Sequence, residues 1–346
     1  MKSSREIVHE VLEKGISERI PLQVEADDKK YESLLSDVVG FRVRISTWDS
    51  FYETGGPFRR RKGERLAEWA DRVDPREYPW PDEDIIEDAL GVYEERARVY
   101  AKGRFLLLKV LGPTETAESF FASPMPGAGQ IAHGFSFALL LRIRPAKALD
   151  LYDRIASVIL KIIKAGCELE RVDAVRIADD VASYRGPLYP PMLLDRYLKW
   201  HSLFVETAHR KGKWALLHCD GDLRKGDLLG KLADIYDGIH PLDLMPKSTL
   251  RDAFEWAKAI AKARQSLIHR RLVFFTGLPV DLIFNNRINA RDMVDLVKRL
   301  LDEHGPSWLV LATTHSPYPG RGYHEIVAQE KIKAVREYVG SYIPPL

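Results

Sequence analysis

The sequence predicts one (β/α)8 barrel, an α/β fold in a single domain spanning residues 1–346, with an N-terminal helical extension over 1–19 and insertions in its first half. Two observations carry this. Short apolar runs alternate with amphipathic helical segments, which is the pattern of a parallel sheet covered by helices. About eight such runs occur in a length suited to one barrel with insertions. An open doubly wound sheet is the competitor. However, no Gly-x-Gly-x-x-Gly follows an early strand, and nothing resembles a phosphate-cradling Walker loop.

Taken in order, residues 3–14 place Ile7, Val8, Val11 and Leu12 at helical spacing and stop near Gly15. Residues 20–25 then read as a strand ending on Glu25, and residues 41–48 as a second β-like run. The basic stretch Arg59-Arg60-Arg61-Lys62 reads as a solvated loop rather than an anion clamp. Pro79-Trp80-Pro81-Asp82 opens a helix reaching about Ala101. Residues 105–110 form a buried strand followed by Gly112-Pro113-Thr114-Glu115, and a long, mostly helical region comes next. Its apolar run over 135–143 is too short to span a bilayer. Further strands are expected at 173–180, 214–222, 236–242, 271–277 and 308–315. Helices are expected near 155–166, 191–211, 249–263, 290–303 and 324–338.

Composition narrows the function classes. Lys and Arg number 52 against 50 Asp and Glu, a net charge of +2, which gives no field for nucleic acid or an anionic membrane. The two cysteines, Cys167 and Cys219, cannot form a disulfide framework or a thiolate-rich zinc site. No apolar run follows the N-terminus as in a secretory signal, and no segment approaches a membrane span. A cytoplasmic, soluble protein is the expectation.

In a barrel of this kind the active site lies at the C-terminal ends of the strands. The polar residues at those ends are Glu25, Asp179, Asp180, His218, Asp220, His240 and His315. His218 and Asp220 share one face of their strand and Cys219 takes the other, towards the helix layer. Asp179 follows Val175 and Ile177 at alternate positions, so it is expected to face the interior as the main carboxylate. Asp180 points the other way and is expected to cap the next helix, with substrate contact as its other role. His240, Tyr189 and Tyr318 complete a candidate substrate-binding set with Glu25.

Three stretches together resemble the uroporphyrinogen decarboxylase superfamily, which includes the cobalamin-dependent methyltransferases. They are residues 177–190 (Ile-Ala-Asp-Asp-Val-Ala-Ser through Gly-Pro-Leu-Tyr-Pro), residues 217–222 (Leu-His-Cys-Asp-Gly-Asp) and residues 237–242 (Asp-Gly-Ile-His-Pro-Leu). Ser4-Arg5-Glu6 running into Ser17-Glu18-Arg19-Ile20-Pro21, and Gly112-Pro113-Thr114-Glu115, are similar to the family's opening and third-strand motifs. The resemblance covers nearly the whole chain and implies the same barrel.

Departures from the pattern select the branch. The arginine-rich motif that grips porphyrinogen propionates is replaced by Leu22-Gln23-Val24-Glu25-Ala26-Asp27, whose acids would repel eight carboxylates. The zinc-dependent methyltransferases use a His-x-Cys pair and a later cysteine. His218 matches the histidine, Asp220 stands at the first cysteine, and His315 falls at or beside the later one. His218, Asp220 and His315 would suit Zn, with a fourth position open. The resemblance thus implies a corrinoid-linked methyltransferase acting on a small methylated substrate. Catalysis would fall to Asp179, His218, Asp220 and His315, a partner corrinoid protein would supply cobalamin, and a homodimer is expected. The alternatives are a metal-free decarboxylase of a carboxylic acid, a carboxy-lyase activity, and a non-catalytic ligand-binding barrel.

Overall fold

A computed structural model describes residues 2–124 and 136–342. Eight parallel strands form one sheet: β1 (Leu22–Gln23), β2 (Val38–Arg42), β3 (Phe105–Leu111), β4 (Ala174–Ala178), β5 (Trp214–Cys219), β6 (Gly238–Pro241), β7 (Val273–Leu278) and β8 (Leu309–Thr313). Their order is β1-β8-β7-β6-β5-β4-β3-β2, so the sheet curls into a nearly closed barrel with helices between successive strands. The seam lies between β1 and β2. There Asp37 N–H donates to Leu22 O at 2.7 Å, and the Asp37 carboxylate takes the Leu22 N–H at 2.8 Å. Ser36 Oγ accepts from Val24 N at 3.0 Å.

The expected elements appear with one shift. The second strand occupies 38–42, not 41–48, and Ile45 already precedes the short helix Ser46–Asp49. Apolar residues continue through Val43 and Ile45 because that loop is itself buried, so alternation outlasts the strand. Of the helical stretch expected after Glu115, residues 125–135 lie outside the described residues, and Ser136–Ile143 and Pro145–Gly166 are helices.

Two apolar layers result from strand alternation. Leu106, Leu108, Val175, Ile177, Leu217 and Cys219 pack outward against the helices. Phe105, Leu107, Ala174, Leu216, Phe275 and Val310 fill the barrel's lower half together with Val8, Val11 and Leu12 of the helix Ser4–Lys14. That helix closes the barrel's N-terminal end. Ser3 and Glu6 form its capping box, and Gly15, at φ 78°, ends it where any side chain would strike the Trp308 indole. With the bottom plugged, the inward positions nearer the C-terminal ends are left for polar side chains.

No helix among the described residues is long and apolar enough to cross a membrane.

Candidate active site

Those inward positions line a cavity of about 430 Å3 at the C-terminal ends of the strands. Glu25, Lys109, Arg176, Asp180, His218, Asp220 and His315 all border it. His218, Asp220 and His315 each place one ligand atom within 4.8 Å of the others. His218 is buried, Asp220 half-buried and His315 exposed at the mouth.

His240 stands behind His218. Its Nε2 lies 2.7 Å from Thr313 O, a carbonyl that can only accept, so Nε2 carries the proton. Burial, with the Arg176 charge nearby, pushes His240 down to about 3, which keeps the ring neutral. Its Nδ1 is therefore an acceptor, and His218 Nδ1 donates to it across 2.6 Å. Burial and His240 hold His218 well below the usual imidazole range. This leaves His218 neutral with Nε2 as its free donor atom, the form that ligates a metal.

The acids beside this histidine pair are crowded. Asp180 Oδ1 accepts from Asp220 N at 2.7 Å. Burial and the neighbouring carboxyl push Asp220 up, and burial with Glu115 does the same to Asp180. Desolvation and the nearby Asp179 push the half-buried Glu115 up to about 7. A cation placed among them would relieve all three shifts. Two nitrogens and one oxygen, an oriented histidine and a surplus of carboxyls therefore fit a divalent ion of the zinc type.

Asp179 and Asp180 exchange the positions expected of them. Asp179 is fully buried outside the cavity, where it accepts from Thr114 N at 2.9 Å, Glu115 N at 3.0 Å and His201 Nε2 at 3.0 Å. It thus caps the helix Pro113–Ser119, while Asp180 lines the cavity. The reason lies in β4. Its apolar alternate residues, Val175 and Ile177, face the helices, and its charged one, Arg176, faces the interior. Reading the apolar face as the inside inverts the assignment for residues at this level.

Tyr189 is also displaced from its expected place. It packs against Phe137 and donates to Glu118 Oε1 at 3.3 Å, away from the cavity. Tyr318 is an exposed rim residue bonded to Asp281. Cys219 and Cys167 are buried and free, as expected of small hydrophobes. Arg59, Arg60, Arg61 and Lys62 are exposed.

The structure adds a group not anticipated from sequence. Arg42, Lys109 and Arg176 occupy matched positions on β2, β3 and β4, abreast across three neighbouring strands. Glu25 ties two of them together, accepting from Lys109 Nζ at 2.6 Å and from Arg176 Nη1 and Nη2 at 2.9 and 2.7 Å. These charges hold the Glu25 carboxyl well below its usual range despite burial. The signal was present in the sequence: a lysine and an arginine, each inside an otherwise apolar strand, need partners to be buried.

No protein-family model matches the chain, and no curated protein sequence matches it. Among solved structures the chain is similar to the GH5_18 protein from Streptomyces cattleya in complex with Manβ1-4GlcNAc. The identity is 12%, with 95% of this chain and 83% of that one covered and a TM-score of 0.52. A GH5-4 broad-specificity endoglucanase from Clostridium acetobutylicum gives 10% identity, 97% and 99% coverage and a TM-score of 0.48. A B12-independent methionine synthase from Shewanella sp. W3-18-1 gives 12%, 75% and 67%, and 0.44. At these identities the likeness is one of fold, and the first of these agrees with the barrel.

Proposed function

We propose that this barrel is an enzyme of the uroporphyrinogen decarboxylase-like superfamily, in its corrinoid-linked methyltransferase branch, acting on a small substrate at the barrel mouth. The convergence of His218, Asp220 and His315, with His218 oriented by His240, carries the reading. These three residues would hold a zinc ion. When bound, it would lower the pKa of a coordinated water or thiol and so supply a nucleophile or an activated leaving group. The protein's own part is preorganisation. His240 fixes the His218 tautomer, Asp180 anchors the Asp220 backbone, and Asp179 sets the start of the helix that carries Glu115 to the cavity. Glu115, pushed up to about 7, is poised to give or take a proton at neutral pH. A methylated substrate would sit against this wall, open to a partner's corrinoid from above.

The test is direct. Wild-type protein is expected to retain zinc after dialysis and to transfer methyl groups to free cob(I)alamin. His218→Ala and Asp220→Ala are expected to lose both properties. Metal-free wild-type protein that turns over no methyl donor would overturn the reading. Decarboxylation of a carboxylic acid is the second reading, and the cation row of Arg42, Lys109 and Arg176 favours it. Its expected key residue, Asp179, is engaged in the helix layer instead.

A further inference from the structure

The two walls of the cavity are lined by opposite residue types, carboxyls on one and Lys and Arg on the other. On one side stand Glu115, Asp180 and Asp220, with no Lys or Arg ion pair among the described residues. On the other, Arg42, Lys109 and Arg176 lie abreast, and Arg96 borders the same cavity. Neighbouring strands are about 4.8 Å apart, so like charges in register repel unless an anion joins them. Among the described residues only two carboxylates do so. Glu25 is shared by Lys109 and Arg176, and Asp49 takes one Arg42 nitrogen at 2.6 Å. Arg96 has no ion pair among the described residues and rests over the Phe41 ring at 5.1 Å. It is therefore held in place with its hydrogen-bonding nitrogens uncommitted. Gly40 belongs to this arrangement, because a Cβ there would lie 2.3 Å from Lys109 Cε. The missing side chain lets the lysine stem cross β2.

We propose that the substrate carries an acidic oxyanion, a carboxylate or a phosphonate-like group, bound between Arg42 and Arg96, with its reacting end towards His218, Asp220 and His315. The inference rests on reading this cavity as the substrate site. Guanidinium groups match such oxyanions through paired N–H donors, and an anion there would complete the compensation that Glu25 and Asp49 leave partial. The opposite wall, lined by Glu115, Asp180 and Asp220, offers that group no guanidinium or ammonium donor among the described residues, which fixes the direction in which a bifunctional molecule enters.

The test uses butyrate, butylphosphonate and butylamine in ligand-observed NMR titrations of the full chain, both zinc-loaded and EDTA-treated. One of the two anions is expected to bind about tenfold or more tighter than butylamine, and whichever does so assigns the acid class. Arg42→Gln and Arg96→Gln are each expected to weaken that anion about tenfold, with zinc content and denaturation midpoint unchanged. Arg59→Gln, on an exposed loop, is expected to bind as wild type does. Anions that bind no better than butylamine would overturn the proposal, as would unaltered binding in both arginine variants. Failure of the metal reading is separable. A protein that retains no zinc yet prefers the anion through Arg42 and Arg96 supports the anion site by itself.

Discussion

His240 reaches the proposed metal site only through His218, so its substitution tests orientation without removing a ligand. His240→Phe keeps a ring behind His218 but removes the acceptor for Nδ1–H. Loss of such a supporting bond typically costs about 10–100-fold in metal affinity, and that is the expected drop in a zinc competition titration, against complete loss for His218→Ala. Equal affinity in wild type and His240→Phe would remove His240 from the site. Asp179 makes a different case. It has no Lys or Arg partner among the described residues, yet it takes two backbone N–H groups and His201. His201 Nδ1 in turn meets the Tyr236 hydroxyl, so the cluster is satisfied throughout. Asp179→Ala strands those donors in a dry interior. A loss of about 3–5 kcal/mol is expected in urea unfolding, with Glu115 displaced as a consequence. The exchange of Asp179 and Asp180 also marks what single residues can hide. Polarity showed that both acids needed partners, whereas the direction of each depended on which face of β4 was the inside.

At the scale of elements, strand and helix identity could be read from apolar runs and their spacing, because burial imposes both. Strand ends could not be read equally well. β2 is the example: Val43 and Ile45 stay buried in the following loop, so hydrophobicity gives no stop signal. The seam between β1 and β2 was also hidden, since one backbone bond and two side chains, rather than a ladder, close it. Asp37 is its centre. It accepts from Arg19 Nη1 and Nη2 at 2.7 and 2.6 Å, from Ser4 Oγ at 2.6 Å and from Leu22 N. Burial alone would raise its pKa, but the bonds from Arg19 outweigh it and the net shift is downward. A carboxyl lowered on folding stabilises the folded state above its unfolded value of about 3.9, and that contribution is lost as pH falls through the lower folded value. Asp37→Asn is therefore expected to destabilise by about 1–3 kcal/mol at pH 7. The gap from wild type should narrow as pH drops below about 4. A gap that widened on acidification would contradict the charged seam.

The whole barrel separates two tasks along its axis. The helix Ser4–Lys14 and the apolar inner positions of the strands fill the lower half, and the upper half is lined by charge. This separation explains why the fold was more legible than the site. Alternating elements and chain length point to a barrel, while a site assembled from β1 to β8 depends on register between strands far apart in sequence. His218 and Asp220 lie two residues apart, but His315 follows β8, three strands along the sheet from β5, and joins them only through the curl of the sheet. The same dependence makes the metal site a reporter of the intact barrel. A ligand that binds the folded state alone stabilises it by RT ln(1 + [L]/Kd), about 2.7 kcal/mol at a hundredfold excess over Kd. Zinc is therefore expected to raise the thermal midpoint of the wild-type chain, and EDTA to reverse the rise. His218→Ala and His315→Ala, which remove ligands carried by β5 and by the segment after β8, should both abolish the increment. His304→Ala, whose histidine contacts Phe274 rather than the cavity, should keep it. Because His218 and His315 are brought together by the curl of the sheet across β5 to β8, loss of the increment in both variants, with folding preserved, would tie zinc binding to the assembled mouth rather than to any one strand. An increment that survives in both would place the zinc elsewhere.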